Sequence, residues 1–257
     1  LVVSLVGEPE ALKESLIKSA KVAIENIDLN KHQGAHPRIG AVDVIPFVPL
    51  RNITMEECVE FSRKFAEAFH RETQVPVYFY EESALRPERR NLEVIRKGQY
   101  EALKEEIIKP ERHPDIGEPK LHPTAGATVI GARKFLVAFN VNLHTKDVNI
   151  AKAIAKAIRS SSGGFSAVKA IGLELKERGM TQVSMNIVDY EKNALYRVLE
   201  LIKAEAKRWG ISIAETEVYG MVPVAALLES TSYYMQIADF DPNQVIELRL
   251  LDLLGRD

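Results

Sequence analysis

The chain has 257 residues, of which 46% are hydrophobic and 27% are charged, and its formal net charge is −2. These values are ordinary for a soluble globular protein, and they give no sign of a nucleic-acid-binding or membrane-binding surface. Cys58 is the single cysteine, which excludes a disulfide within the chain and a cysteine-based metal cluster.

The composition and the N-terminal pattern also bear on location. No apolar run reaches the roughly 18 residues that a membrane span requires. The first residues lack the charged and then apolar pattern of a signal peptide. Together with the lone cysteine, these features predict a cytoplasmic protein with no membrane partner.

In chain order, the first half predicts alternating strands and helices. Residues 2–6 form a β-branched run typical of a strand, and residues 8–26 carry apolar side chains at helical spacing. Residues 41–50 predict a strand that ends at Pro46 and Pro49, because proline lacks a backbone N–H.

The next segment begins with a helix start signal. Thr54 is followed three residues later by Glu57, which predicts a capping box and a helix to about His70. Residues 75–80 predict a strand, and an arginine-rich stretch after them predicts one or two short helices. Residues 111–135 hold three prolines and three glycines, which favours an extended, ordered loop.

The second half predicts the order β-α-β-β-α-β, which is the ferredoxin-like unit. Its predicted elements are strand 135–143, helix 147–160, strand 167–175, strand 182–189, a helix capped near Asn193 that runs to Trp209 before Gly210, and strand 211–220. If a β-α-β segment preceded Leu1, the first half would hold the same unit. We therefore expect an α+β fold of two ferredoxin-like α/β sandwich subdomains, residues 1–132 and 133–257, the first without its N-terminal β-α-β part.

Two histidines four residues apart, His32 and His36, are the first candidates for chemistry. A helical zinc pair is disfavoured, because Gly34 lies between them and Pro37 moves the preceding residue out of the helical region. Two interpretations stay open at this point. The histidines are incidental to a surface loop, or one of them, held by a rigid His-Pro turn, acts as acid or base near neutral pH.

Basic residues offer candidate anion sites. Three interpretations of Arg38 stay open. Its guanidinium is solvated, or it pairs with Asp43 or a helix end, or it binds a carboxylate ligand through two parallel hydrogen bonds. The loop 117–126 is either a connector or a ligand-embracing loop whose glycines expose backbone N–H groups. Further candidates for carboxylate binding are Arg89, Arg90, Arg96, Lys97, Arg133 and Lys134.

Four blocks of sequence carry a resemblance to a known family: "HQGAHPRIGAVDVIPFVP", "VPVYFY", "PDIG" followed by "HPTAGATVIGARKFLVAFNVNL", and "QVSMNIVDYEKNALYRV". They follow the order of the formiminotransferase family, and the match extends from Val2 past Pro223. The resemblance implies two α+β subdomains with a folate groove between them, and a homodimer. It also implies transfer of a formimino group from N-formiminoglutamate to N5 of tetrahydrofolate, in histidine degradation, with tetrahydrofolate as co-substrate and no metal.

The resemblance also assigns roles to residues. The catalytic histidine of the His-Pro-Arg motif maps onto His36, and the folate-binding loop maps onto residues 117–126. Within that loop Gly117, Pro123 and Gly126 match the family pattern, and Lys120, Leu121, His122 and Ala125 depart from it. The family pattern begins with a further strand, helix and acidic segment before Leu1, where the acidic partner of the catalytic histidine is expected. Because the chain ends near Asp257 without a helical cyclodeaminase domain, we expect a stand-alone transferase.

Both substrates implied by the resemblance carry glutamate carboxylates. We therefore expect Arg38 first, and then Arg133 and Lys134, to bind them, while His32 supports the loop or tunes His36. Three alternatives stay open: a folate-binding protein without catalysis, a metal-dependent formimino hydrolase that uses His32 and His36, and a transferase with formiminoglycine or N-formylglutamate as donor.

Overall fold

The computed structural model describes residues 2–33 and 37–254. The chain divides into two compact units, Leu1–Arg133 and Lys134–Asp257. The expected boundary, 132/133, lies one residue from this division. The first unit holds a parallel sheet and the second an antiparallel one, which confirms an α+β fold in two subdomains.

The first unit surrounds a three-stranded parallel sheet of order β1-β3-β2. Its elements are α1 (Pro9–Asn26), β1 (Val44–Phe47), α2 (Met55–Thr73), β2 (Val77–Phe79), α3 (Leu92–Ile95), α4 (Gln99–Glu106) and β3 (Thr128–Ala132). One core joins α1 and α2 to the sheet side that carries Val77 and Phe79. A second core joins α3 and α4 to the side that carries Tyr78 and Tyr80. Every residue of β2 and β3 is buried, as expected for a parallel sheet covered on both faces.

Residues 2–6 do not form the predicted strand. Their side chains are exposed, with Val2 at 90% and Val6 at 68% of full exposure. A strand exists only where a neighbour pairs with its backbone N–H and C=O groups, and no described strand pairs with this segment. β-branched composition favours the extended backbone but supplies no such partner.

The interpretation of residues 111–135 as a loop is wrong at its C-terminal end. Residues Thr128–Ala132 form β3, the central strand of the first sheet, which pairs with β1 on one side and β2 on the other. Pro46 also lies inside β1 and does not end it. β1 is an edge strand among the described residues, so the nitrogen of Pro46 faces away from β3 and no ladder hydrogen bond is lost.

The second unit has the predicted ferredoxin-like order of elements, in a four-stranded antiparallel sheet of order β5-β6-β4-β7. Its elements are β4 (Val137–Leu143), α5 (Val148–Ile158), β5 (Val168–Leu175), β6 (Met180–Ile187), α6 (Leu195–Arg208), β7 (Ile213–Tyr219), α7 (Val224–Met235) and α8 (Ile246–Leu254). α5 and α6 pack on the sheet side that carries Val141 and Val183.

Asn193 does not cap α6, whose N-cap residue is Ala194. The side-chain oxygen of Asn193 instead accepts a hydrogen bond from the Ala167 N–H at 2.7 Å. Among residues 2–33 and 37–254, no helix has the length and apolar content needed to cross a membrane.

The capping box of α2 forms as predicted and gives a stability test. The Glu57 N–H donates to Thr54 Oγ1 at 3.2 Å, and the Thr54 N–H donates to Glu57 Oε2 at 2.7 Å. We expect Thr54→Ala to lower the free energy of opening of α2 by about 1 kcal/mol, because the Glu57 N–H of the first turn loses its acceptor. Hydrogen exchange of the peptide that covers α2 measures this change. Thr54→Ser keeps the hydroxyl and should lose less, and equal exchange in Thr54→Ala and the wild type would contradict the prediction.

Candidate functional site

The predicted catalytic residue, His36, lies outside the described residues, together with Gly34 and Ala35. The structure does describe the chain on both sides of this gap. It also describes all of the loop 117–126, which belongs to the same unit. The site is therefore built from these flanking segments and that loop.

The segment before the gap is a turn closed by His32. The His32 N–H donates to the Asp28 carbonyl at 2.8 Å, and the Asp28 N–H donates to His32 Nδ1 at 3.0 Å. Hydrogen bonds from Asn30 lower the pKa of the Asp28 carboxyl. The exposed His32 ring thus has one nitrogen engaged with the backbone of its own turn.

The segment after the gap is held by Asp43. Asp43 Oδ1 accepts the Ile39 N–H at 2.8 Å, and Asp43 Oδ2 pairs with the guanidinium of Arg96. Arg96, from the turn after α3, is thus the basic partner of Asp43, which the sequence considered for Arg38.

Arg38 binds a carboxylate of the chain itself. Its Nη2 and Nη1 donate to Oε1 and Oε2 of Glu101 at 2.9 Å and 3.2 Å, in the fork-to-fork arrangement of a bidentate pair. The same guanidinium reaches the His32 carbonyl at 3.3 Å and Gln99 Oε1 at 3.4 Å. The hydrogen bond from Arg38 lowers the pKa of the Glu101 carboxyl.

The loop 117–126 is fixed to both flanks by main-chain hydrogen bonds. The Leu29 N–H donates to the Thr124 carbonyl at 2.8 Å, before the gap. After the gap, the Ala41 N–H donates to the Ala125 carbonyl at 2.9 Å and the Ala127 N–H donates to the Ile39 carbonyl at 2.9 Å. The structure therefore brings together the two segments that the sequence singled out.

Two glycines permit this close seating. Gly126 has φ +71°, and a Cβ there would lie 2.2 Å from the Ile39 carbonyl oxygen. Gly117 has φ +94°, and a Cβ there would lie 2.7 Å from Cε1 of His70, whose ring is hydrogen-bonded to the Val75 carbonyl. A side chain at either position would be strained and would separate the surfaces.

Asn30 joins three elements and was not predicted. Its Nδ2 donates to the Pro123 carbonyl at 2.9 Å, which connects the turn to the loop 117–126. Its Oδ1 accepts from Lys104 Nζ at 2.7 Å and from the Tyr100 hydroxyl at 3.1 Å, which connects it to α4. Because the Tyr100 N–H also donates to the Arg38 carbonyl at 2.9 Å, α4 bonds to the chain on both sides of the gap.

Nothing local in the sequence identified α4 as part of the site. Its partners lie 60 to 75 residues away along the chain, and a short polar helix resembles any solvent-exposed helix. Hydrophobic periodicity predicts which side of a helix is buried, and it carries no information about polar partners elsewhere in the chain.

His122 is one of the four residues of the loop that depart from the family pattern. Its Nδ1 accepts the N–H groups of Ala125 at 3.1 Å and Thr124 at 3.4 Å, so it closes the turn that contains Pro123. Burial lowers the pKa of this imidazole. A neutral ring with an unprotonated Nδ1 is the form that both bonds require.

Arg133 and Lys134, the other two residues predicted to bind substrate carboxylates, have partners elsewhere. The Arg133 N–H donates to the Phe47 carbonyl at 2.9 Å, and its guanidinium is hydrogen-bonded to Tyr80. Burial raises the pKa of Tyr80 to about 12, and Arg133 opposes that rise. Lys134 belongs to the second unit, where its Nζ lies 3.0 Å from Asp189 Oδ2 and 3.4 Å from Glu191 Oε2.

Among residues 2–33 and 37–254, no group of three or more His, Cys, Asp and Glu side chains is arranged to hold a metal ion. The zinc pair of the hydrolase alternative includes His36 and so falls partly outside this range.

Comparison with known proteins covers both units. Residues 1–133 match the family described as "Formiminotransferase domain, N-terminal subdomain", and residues 138–253 match "Formiminotransferase domain". The chain belongs to the formiminotransferase family. This confirms the resemblance that the four sequence blocks indicated.

Individual relatives agree with this membership. Glutamate formimidoyltransferase of Streptococcus pyogenes serotype M1 is 50% identical over 251 residues, which cover 97% of this chain and 84% of the relative. Glutamate formimidoyltransferase of Thermoplasma acidophilum is 43% identical over 97% of this chain and 82% of the relative. Formimidoyltransferase-cyclodeaminase of Mus musculus is 42% identical over 91% of this chain, which corresponds to 44% of that longer relative.

His122 gives this formiminotransferase a testable pH dependence. Because burial depresses its folded-state pKa, the unfolded chain binds the proton more readily, and stability falls as pH drops below the unfolded value of about 6.5. NMR titration of the His122 ring should give a midpoint below about 6.5. His122→Asn retains an acceptor near the position of Nδ1 without a titrating ring, so it should lose this part of the pH dependence. A His122 midpoint at or above about 6.5 would contradict the prediction.

Proposed function

We propose that this chain transfers a formimino group from N-formiminoglutamate to N5 of tetrahydrofolate, in histidine degradation. The observation that carries the proposal is the family match across both units, joined to one structural fact. The residues beside His36 and the loop 117–126 are bonded to each other through their backbones.

His36 is proposed as the acid–base group. It takes a proton from N5 as that nitrogen forms its bond to the formimino carbon. It then gives a proton to the glutamate nitrogen as the bond from that nitrogen to the same carbon breaks. Imidazole suits both steps, because its ordinary pKa of about 6.5 lies close to neutral pH. Acid–base catalysis of this type typically contributes about 10²–10⁴-fold to the rate.

The loop 117–126 is proposed to bind tetrahydrofolate, with Gly117, Pro123 and Gly126 shaping its backbone. Tight seating against residues 39–41 makes this loop a fixed surface, which lowers the entropic cost of holding two substrates for reaction. His32 is proposed to support the turn before His36, in agreement with its bond to the Asp28 backbone.

Substrate carboxylates are proposed to bind basic side chains, with Arg38 first and then Arg133 and Lys134. Each has a described partner within the chain, so a substrate carboxylate would share or replace that partner. Metal is not part of the proposed reaction, and assays in metal-free buffer separate it from the hydrolase alternative.

Replacement of His36 tests the mechanism. We expect His36→Ala to lower kcat by about 10²–10⁴-fold or more while tetrahydrofolate still binds, because the proton acceptor is lost and the loop is unchanged. Formation of the 5-formimino product by absorbance, with chelator present, and calorimetry of tetrahydrofolate binding measure the two effects. His32→Ala is the matched control, from which we expect a much smaller loss. Full turnover by His36→Ala would rule out the proposed role.

The proposal includes a cytoplasmic homodimer, as the family resemblance implies. Cys58 is the single cysteine and is buried, and burial raises the pKa of its thiol to about 11, which keeps it protonated and unreactive. Light scattering of the purified chain should give twice the mass of one chain at micromolar concentration. A single-chain mass under conditions in which transfer is observed would exclude the dimer as a requirement for activity.

A further inference from the structure

The pair between Arg38 and Glu101 is unequal in its exposure to solvent. The side chain of Arg38 is only 14% exposed, whereas that of Glu101 is 60% exposed. The arginine is therefore part of the protein body, and the carboxylate approaches it from the solvent side.

The contact has the geometry of a bound carboxylate ligand. Both oxygens of Glu101 face both terminal nitrogens of Arg38, at 2.9 Å and 3.2 Å. This fork is the arrangement in which guanidinium groups recognise free carboxylates. Within the described part of the chain, the guanidinium also contacts the neutral oxygens of His32 and Gln99, which orient it without neutralising its charge.

The carboxylate of Glu101 is not needed to place α4. The helix begins at Gln99, after Gly98, and these two residues have φ +57° and +78°. The Tyr100 N–H donates to the Arg38 carbonyl at 2.9 Å. Lys104 and the Tyr100 hydroxyl hold the same helix to Asn30. Exposed ion pairs contribute little to stability, so this contact can open while the backbone stays in place.

We propose that Glu101 occupies the place of a substrate glutamate carboxylate on Arg38, and that this substrate displaces it on binding. The inference rests on the proposed function, in which both substrates carry glutamate carboxylates and Arg38 lies two positions after the catalytic histidine. Glu101 is thus a specificity-determining residue. It keeps a largely buried guanidinium paired in the absence of substrate, and it admits only ligands whose carboxylates compete with its own.

Replacement of Glu101 by glutamine tests whether its carboxylate competes with substrate. If it does, substrate binding becomes tighter, whereas loss of a purely structural contact would weaken binding. Glu101→Gln keeps the size of the side chain and removes the competing charge. We expect KM for one of the two substrates to fall about two- to five-fold, the range of an exposed ion pair, with kcat within about two-fold of wild type. Measurement of KM for N-formiminoglutamate and for tetrahydrofolate separately shows which carboxylate Arg38 takes.

Two further variants isolate the effect. Glu105→Gln makes the same change of charge on the same helix, at an exposed position, and controls for the general field of the surface. The fall in KM should be specific to Glu101→Gln. Because the side chains of Arg38 and Glu101 act as one pair, the double variant Arg38→Met with Glu101→Gln should show no such fall. An equal fall in KM in Glu105→Gln, an unchanged or raised KM in Glu101→Gln, or a large fall in its kcat would overturn the inference while the transferase function stands.

A binding measurement keeps the two proposals separate. If the wild-type chain does not transfer the formimino group, the proposed function fails. Calorimetry then compares wild type and Glu101→Gln with two probes, N-formylglutamate for the donor and p-aminobenzoylglutamate for the folate tail. Tighter binding of either probe by Glu101→Gln supports the inference, and equal, weaker or undetectable binding of both overturns it.

Discussion

Main-chain hydrogen bonds between the loop 117–126 and the segments on both sides of residues 34–36 are the constraint on which the candidate site depends. The N–H groups of Leu29, before residues 34–36, and Ala41, after them, both donate hydrogen bonds to carbonyl groups of the loop. These bonds satisfy backbone groups of the loop. Because these bonds involve backbone atoms, the course of the loop does not depend on the side chains at Lys120 and Leu121. Departures from the family pattern there are compatible with an unchanged loop.

The ion pairs between arginines and carboxylates in the first unit differ in how deeply they are buried. Two arginines of the first unit pair with carboxylates that also accept a backbone N–H, which makes them part of the architecture. Another arginine faces a carboxylate that is mostly in solvent. These three pairs are Arg89 with Asp115, both 4% exposed, Arg96 with Asp43, and Arg38 with Glu101. The first two are architectural, and the pair of Arg38 with Glu101 is the one that we propose exchanges with a ligand.

Local sequence predicted the second unit well and the first unit less well, for a reason that residues 2–6 and 128–132 illustrate. Both are short β-branched runs, and only the second is a strand. In the second unit only β5 and β6 pair across a tight turn. Strand β4 pairs with β6 and β7 at separations from 38 residues (Leu143 with Thr181) to 81 residues (Ala138 with Tyr219), so these strands were predicted from their own residue pattern and from the turn residues that bound them. β3 pairs with β1 and β2, which end about 80 and 50 residues earlier, and a partner at that distance leaves no local pattern.

The sequence by itself determined the family, the α+β class, the capping box of α2 and the choice of the two segments proposed as the site, because these depend on residue identity and short spacing. Only the tertiary structure decided that Arg38 pairs with Glu101 and not with Asp43, and that Asn30 joins the loop to α4. Arg38 and Glu101 are 63 residues apart. Polar partners at such separation are chosen by the packing of whole elements, which hydrophobic periodicity and local propensity do not specify.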